Sequence, residues 1–114
     1  MKQIPFSASV LLATALQFCC AAPAQASDPI IVGRSLALSG PLMSYGEAKR
    51  DGGDAYIQKI NSAGGVGGQL IKLVTLDDAY TPANTVANLK SMAAQNTPTA
   101  FLGLFGVPTI AAAL

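Results

Sequence analysis

The chain has 114 residues, with seven Lys and Arg against six Asp and Glu, two cysteines and no histidine. Outside an N-terminal leader that holds Lys2, six basic residues face six acidic ones, a formal net charge of zero that excludes the basic footprint of a nucleic-acid binder. With no histidine, and no cysteine after Cys20, the usual zinc ligands and most nucleophile–base pairs are missing, so no catalytic residue, cofactor or metal is expected.

Met1 to Ala26 reads as a cleaved export signal. Lys2 supplies its positive start, an apolar run extends from about Val10 to Ala22, and Ala24-Gln25-Ala26 offers small residues at both positions a signal peptidase reads. Pro5, Gln17 and Pro23 interrupt the ~20 apolar residues that a membrane span requires. Anchoring by lipid on Cys19 or Cys20 is the alternative, but Phe18 and Cys19 precede them where that modification wants a small residue. Cleavage after Ala26 leaves a cysteine-free chain that no disulfide can hold. The 51% apolar content is raised by the leader, yet the remainder still carries enough to pack a core.

In the mature part, Ile30 to Leu38 is a mostly apolar run without strict alternation, which suits a central strand covered on both faces. Ser39-Gly40-Pro41 stops it. Ser44 and Glu47 fit an S-x-x-E capping box, opening a helix from about Tyr45 to Ser62 with Gly53, Tyr56, Ile57 and Ile60 at helical spacing. Gly52 and Gly53 each cost that helix ~1 kcal/mol and suggest close packing on a sheet. The glycine run Gly64 to Gly68 leads to a strand over Gln69 to Leu76, stopped by Asp77-Asp78. Thr81 as N-cap and Pro82 as first residue open a second helix through about Ala94, with Val86, Leu89 and Ala93 on one stripe. A short strand over Ala100 to Leu104, the elbow Gly106-Val107-Pro108-Thr109 and a helical start at Ile110 to Leu114 complete the pattern. This βαβαβα order predicts an α/β fold, a three-layer parallel sheet in the order 2-1-3. The alanine-rich end has no capping signal, so the chain reads as truncated.

Ligands of open α/β sheets bind at the carboxyl ends of the strands, which places function at the two strand-to-helix elbows. Tyr45, beside the first, offers a flat apolar body with a polar tip that can line a cleft or pack in the core. At the second, backbone N–H groups near Val107 and Thr109 can hold a carboxylate, and the Thr109 hydroxyl can join them or cap the helix. Asp77-Asp78 suits a turn cap better than a cation site. Gly65 to Gly68 follow a helix and precede a strand, the reverse of a dinucleotide loop.

Leu38-Ser39-Gly40-Pro41 with Tyr45-Gly46, the run Ile60 to Gly68, and Asp77-Asp78-Ala79-Tyr80-Thr81-Pro82 together resemble the Leu/Ile/Val-binding family of periplasmic solute-binding proteins. The resemblance covers Pro29 to Leu114 and matches the beginning of a two-lobed type I protein roughly three to four times as long. It implies a solute-binding component of an ABC importer, capturing an amino acid of the branched-chain type or a similar carboxylate-bearing solute for an inner-membrane permease, and not an enzyme. The residues matching the family's ligand site are Tyr45, at the cleft border, and Gly106, Val107 and Thr109, in the loop that grips the carboxylate. Val107 stands where many relatives carry serine or threonine. Some relatives also have a disulfide between the regions of Tyr80 and Gly106, absent here. Residues 27–114 alone are expected to fold poorly and to bind negligibly. The ligand-sensing ectodomain of a receptor, built on the same fold, is the other reading.

Overall fold

The computed structural model describes residues 27–114; the expected signal segment lies outside the described residues. Three strands, β1 (Ile30–Leu36), β2 (Ile71–Asp77) and β3 (Ala100–Phe101), alternate with three helices, α1 (Met43–Ser62), α2 (Pro82–Asn96) and α3 (Val107–Ala113). The sheet is parallel with β1 central, in the order β2-β1-β3 that the sequence predicts. Register runs from Ile30 opposite Ile71 to Leu36 opposite Asp77 on one side, and pairs Val32 with Ala100 on the other.

Successive residues of β1 serve the two faces, as a strand's period of two requires. On one face Gly33 leaves room for Phe101 and Met92, since a Cβ built there would lie 2.7 Å from the Phe101 ring. On the other, the buried Arg34 reaches Thr75 Oγ1 (2.8 Å) and Asp54 Oδ1 (2.5 Å), and its Nη1 donates to the Arg50 carbonyl of α1. α2 packs on β1, β2 and α3, whereas α1 packs on β1 and β2 alone, so the helices lie in two layers around the sheet. The fully buried side chains are Leu36 and Ser35 of β1, Thr85 and Met92 of α2, and Thr109 of α3.

Several expected boundaries move, each for a local reason. α1 starts at Met43, so Ser44 lies inside the helix and the predicted capping box does not form. The first amides are met by backbone instead, Met43 donating to Gly40 and both Tyr45 and Gly46 to Leu42. β1 ends at Leu36 because the Leu38 N–H goes to the Asp77 carboxylate rather than into the ladder. β2 starts at Ile71, where Asn61 of α1 pairs with both its N–H and its carbonyl at 2.8 Å. β3 stops at Phe101 because Gly103, at φ +75°, turns the chain away. α3 begins at Val107, three residues before the expected Ile110.

Thr81 is the N-cap residue of α2, but its side chain makes no capping bond. The buried positions of α2 are Thr85 and Met92, and Ala93 of the expected stripe is exposed. Tyr56, expected on the packed face of α1, is exposed as well. Of the two glycines expected to pack closely, only Gly53 does, its missing Cβ making room for Arg34; Gly52 faces open space. The tight helix glycine is Gly46, where a Cβ would sit 1.8 Å from the Ala37 carbonyl oxygen.

Gly46→Ala is therefore expected to destabilise the protein by about 3 kcal/mol, because backbone must move to admit the methyl. Gly52→Ala, in a helix with free space, is expected to stabilise by about 0.5–1 kcal/mol. Denaturant unfolding of the two variants side by side checks both signs.

Candidate functional site

Parallel strands deliver their following loops to one end of the sheet, and here three such loops meet. The loop after β1 leads into the first turn of α1, which carries Tyr45; the loop after β2 carries Tyr80; the loop after β3 carries Phe105 and Gly106. Phe105 is the meeting point. Tyr45 stacks on it at 6.2 Å between ring centroids with 13° between planes, and Tyr80 lies against it at 5.7 Å and 50°, both within the range of favourable aromatic pairs. Lys49, one helical turn beyond Tyr45 on the same face of α1, holds its ammonium 5.1 Å from the Phe105 ring centroid.

The β2 loop is fixed by two adjacent carboxylates. Asp77 Oδ1 accepts the N–H groups of Leu38 and Ala79, each at 2.8 Å, and ties the end of β2 to the loop after β1. Asp78 is 2% exposed. Its Oδ2 accepts the hydroxyls of Ser35 (2.7 Å) and Thr85 (3.0 Å), and its Oδ1 accepts the Tyr80 N–H at 2.9 Å. Asn88 completes the cluster by donating to Ser35 Oγ and to the Asp77 carbonyl. Ala79 and Tyr80 both take left-handed backbone, at φ +49° and +59°, which costs non-glycine residues about 1–2 kcal/mol each. The carboxylates receive the N–H groups of these same two residues.

Left-handed backbone at Tyr80 lays its ring directly on Gly106, where a Cβ would lie 2.3 Å from the ring carbon Cε2. Gly106 itself has φ +91°. Glycine is thus required there by conformation and by contact. Where the resemblance would put a disulfide in some relatives, an aromatic ring on a bare backbone joins the same two loops.

All four predicted site residues lie at this end of the sheet. Tyr45 is 61% exposed and Val107 is 82% exposed, both open to solvent, whereas Thr109 is fully buried. The Thr109 hydroxyl donates to the carbonyls of Phe105 and Gly106, so it holds the loop closed. Sequence reasoning missed Phe105, Tyr80 and Lys49 as members of this site. Spacing could have raised Lys49, four residues after Tyr45; Phe105 sits in an irregular loop whose partners come from two distant segments. Among the described residues no group of three or more His, Cys, Asp or Glu side chains could hold a metal.

Loops from the carboxyl ends of three parallel strands, joined into one aromatic wall, occupy the end of the sheet where open α/β folds bind ligands. The sequence profile of the periplasmic binding protein family matches residues 29–114, and the chain belongs to that family. A Pseudomonas aeruginosa protein named for binding leucine, isoleucine, valine, threonine and alanine is 39% identical over 62 residues, 54% of this chain and 17% of that relative. A possible leucine/isoleucine/valine-binding protein of Rhodopirellula baltica superposes with a TM-score of 0.72 at 32% identity, over 82% of this chain and 25% of that one. The branched-chain amino acid transporter substrate binding protein of Streptococcus pneumoniae, solved with isoleucine, gives a TM-score of 0.71 at 29% identity over 75% of this chain and 24% of that one. The chain spans about a quarter or less of the length of these proteins.

The Asp77 carboxyl is held below the ordinary range, chiefly by the Ser39 hydroxyl; burial opposes this more than any single backbone bond supports it, and the backbone N–H groups of Ala79, Leu38 and Ser39 add to the lowering. A carboxyl lowered in the folded state contributes stability above its unfolded value of about 3.9 and loses it as the pH falls through the lowered folded value. Asp77→Asn is therefore expected to flatten the fall of stability below about pH 4, read from melting temperatures across an acid series.

Proposed function

We propose that this chain forms part of the first lobe of a two-lobed periplasmic solute-binding protein that captures an amino acid of the branched-chain type, or a similar small carboxylate-bearing solute, for an inner-membrane ABC permease. Family membership over residues 29–114 and the convergence of three strand-end loops on Phe105 carry this reading. In it, Tyr45 borders the cleft, and the loop of Gly106, Val107 and Thr109 presents backbone toward the carboxylate, with Thr109 acting as its internal brace. Val107 presents a methyl surface to solvent and offers no hydroxyl, which favours solutes with an apolar side chain. Met1 to Ala26 directs export and is removed, so the mature protein starts at Ser27.

The test uses the product of the chromosomal gene isolated from the periplasm. L-Isoleucine or L-leucine at a hundredfold excess over the dissociation constant is expected to stabilise it by about 2.7 kcal/mol, seen as a rise in melting temperature. Tyr45→Ala is expected to reduce that rise, and residues 27–114 alone are expected to show none. N-terminal sequencing is expected to read Ser27-Asp28-Pro29. A product that responds to no aliphatic amino acid contradicts the solute assignment, and a product that keeps its leader contradicts the export assignment.

A further inference from the structure

We infer that Asp78 is a positioning residue for solute binding: through Tyr80 it locks the loop after β3 into its binding shape, although it faces the interior and not the cleft. The inference rests on the solute-binding reading above. Because β2 and β3 flank β1 in the sheet, about 4.8 Å from it on either side, the loops after them have no backbone ladder in common. They are joined instead by the Tyr80 ring, which crosses from the loop after β2 to lie on Gly106 and Phe105 of the loop after β3. That crossing depends on left-handed backbone at Ala79 and Tyr80, a conformation the chain avoids unless surrounding groups impose it.

Asp78 imposes it from a rigid base. One carboxylate oxygen is held by Ser35 of β1 and Thr85 of α2, both fully buried, while the other accepts the Tyr80 N–H. The Asp78 carbonyl also accepts the Thr81 N–H at 2.8 Å and the Asn84 amide, which closes the turn around Tyr80. The path from core to site is thus Ser35 and Thr85 to Asp78, Asp78 to Tyr80, and Tyr80 to Gly106. At its far end lie the backbone groups that the proposed function assigns to the solute carboxylate. Asn88 is the internal comparison: it supports Ser35 and the Asp77 carbonyl within the same cluster, but makes no bond to Tyr80.

The experiment measures hydrogen exchange of backbone amides over residues 103–110, together with L-isoleucine affinity, in the chromosomal gene product carrying Asp78→Ala, Tyr80→Ala or Asn88→Ala. Asp78→Ala and Tyr80→Ala are each expected to speed exchange over residues 103–110 at least tenfold and to weaken isoleucine binding about tenfold. Asn88→Ala is expected to lower the melting temperature while leaving both quantities within twofold. Tyr80→Ala leaves the buried carboxylate cluster whole, so it decides the matter if Asp78→Ala fails to fold. Unchanged exchange over residues 103–110 in Tyr80→Ala overturns the inference, as does an equal effect from Asn88→Ala. If the unsubstituted protein binds no isoleucine, the solute assignment fails, and the exchange rates still decide whether Asp78 positions the loop.

Discussion

A polar group buried away from water needs hydrogen-bond partners, and the three bonds that the Asp78 carboxyl oxygens accept determine how the end of the sheet that carries the candidate site is built. Each comes from a different element: the central strand, the second helix, and the loop that leaves the second strand. Meeting the needs of one side chain therefore fixes the relative positions of all three. Asp77, its neighbour, points the other way along the chain's alternation and gathers the loop after β1. Two consecutive residues of one type thus bind two different loops to one strand end, and the aromatic contacts on Phe105 extend that fixation to the third loop.

The opposite face of the sheet is held differently. Arg34 is buried and reaches Asp54, which is half exposed, so the charge of β1 is met at the rim of α1 rather than in the interior. Gly53 makes room for that guanidinium, and Gly46 lets the start of α1 sit against the Ala37 carbonyl. Both glycines weaken the helix as an isolated element, and both are used where the helix touches the sheet. The approach of α1 at Gly46 also sets the height at which Tyr45, one residue earlier, meets Phe105.

Much of the fold was legible because hydrophobic runs, proline and glycine mark element order, and element order alone implies a parallel sheet with its first strand central. What the sequence hid were contacts between distant segments. Ser44 and Glu47 had the spacing of a capping box, but the turn at Gly40 to Leu42 supplied carbonyls to the helix start and made the side chains unnecessary. The expected stripe on α2 followed apolar residues, whereas the strand end presented a carboxylate, so Thr85 took a buried place. Asp77-Asp78 was readable as a turn cap; that one carboxylate would face the core and the other the rim was not, because burial depends on the packing of α2. The location of the candidate site is an expectation from the rule for strand ends, while the meeting of three loops at Phe105 is visible only in the structure.

The central claim is that these three loops form a single wall against which the solute rests. It is tested most directly by titrating L-isoleucine into the isotope-labelled product of the chromosomal gene and following its backbone amide resonances. The account predicts the largest changes among residues 27–114 at Tyr45, Lys49, Tyr80, Gly106 and Val107, moving together with one affinity. Changes confined to the opposite end of the sheet, around Gly64 to Gly68, or affecting only one of the three loops, would contradict it.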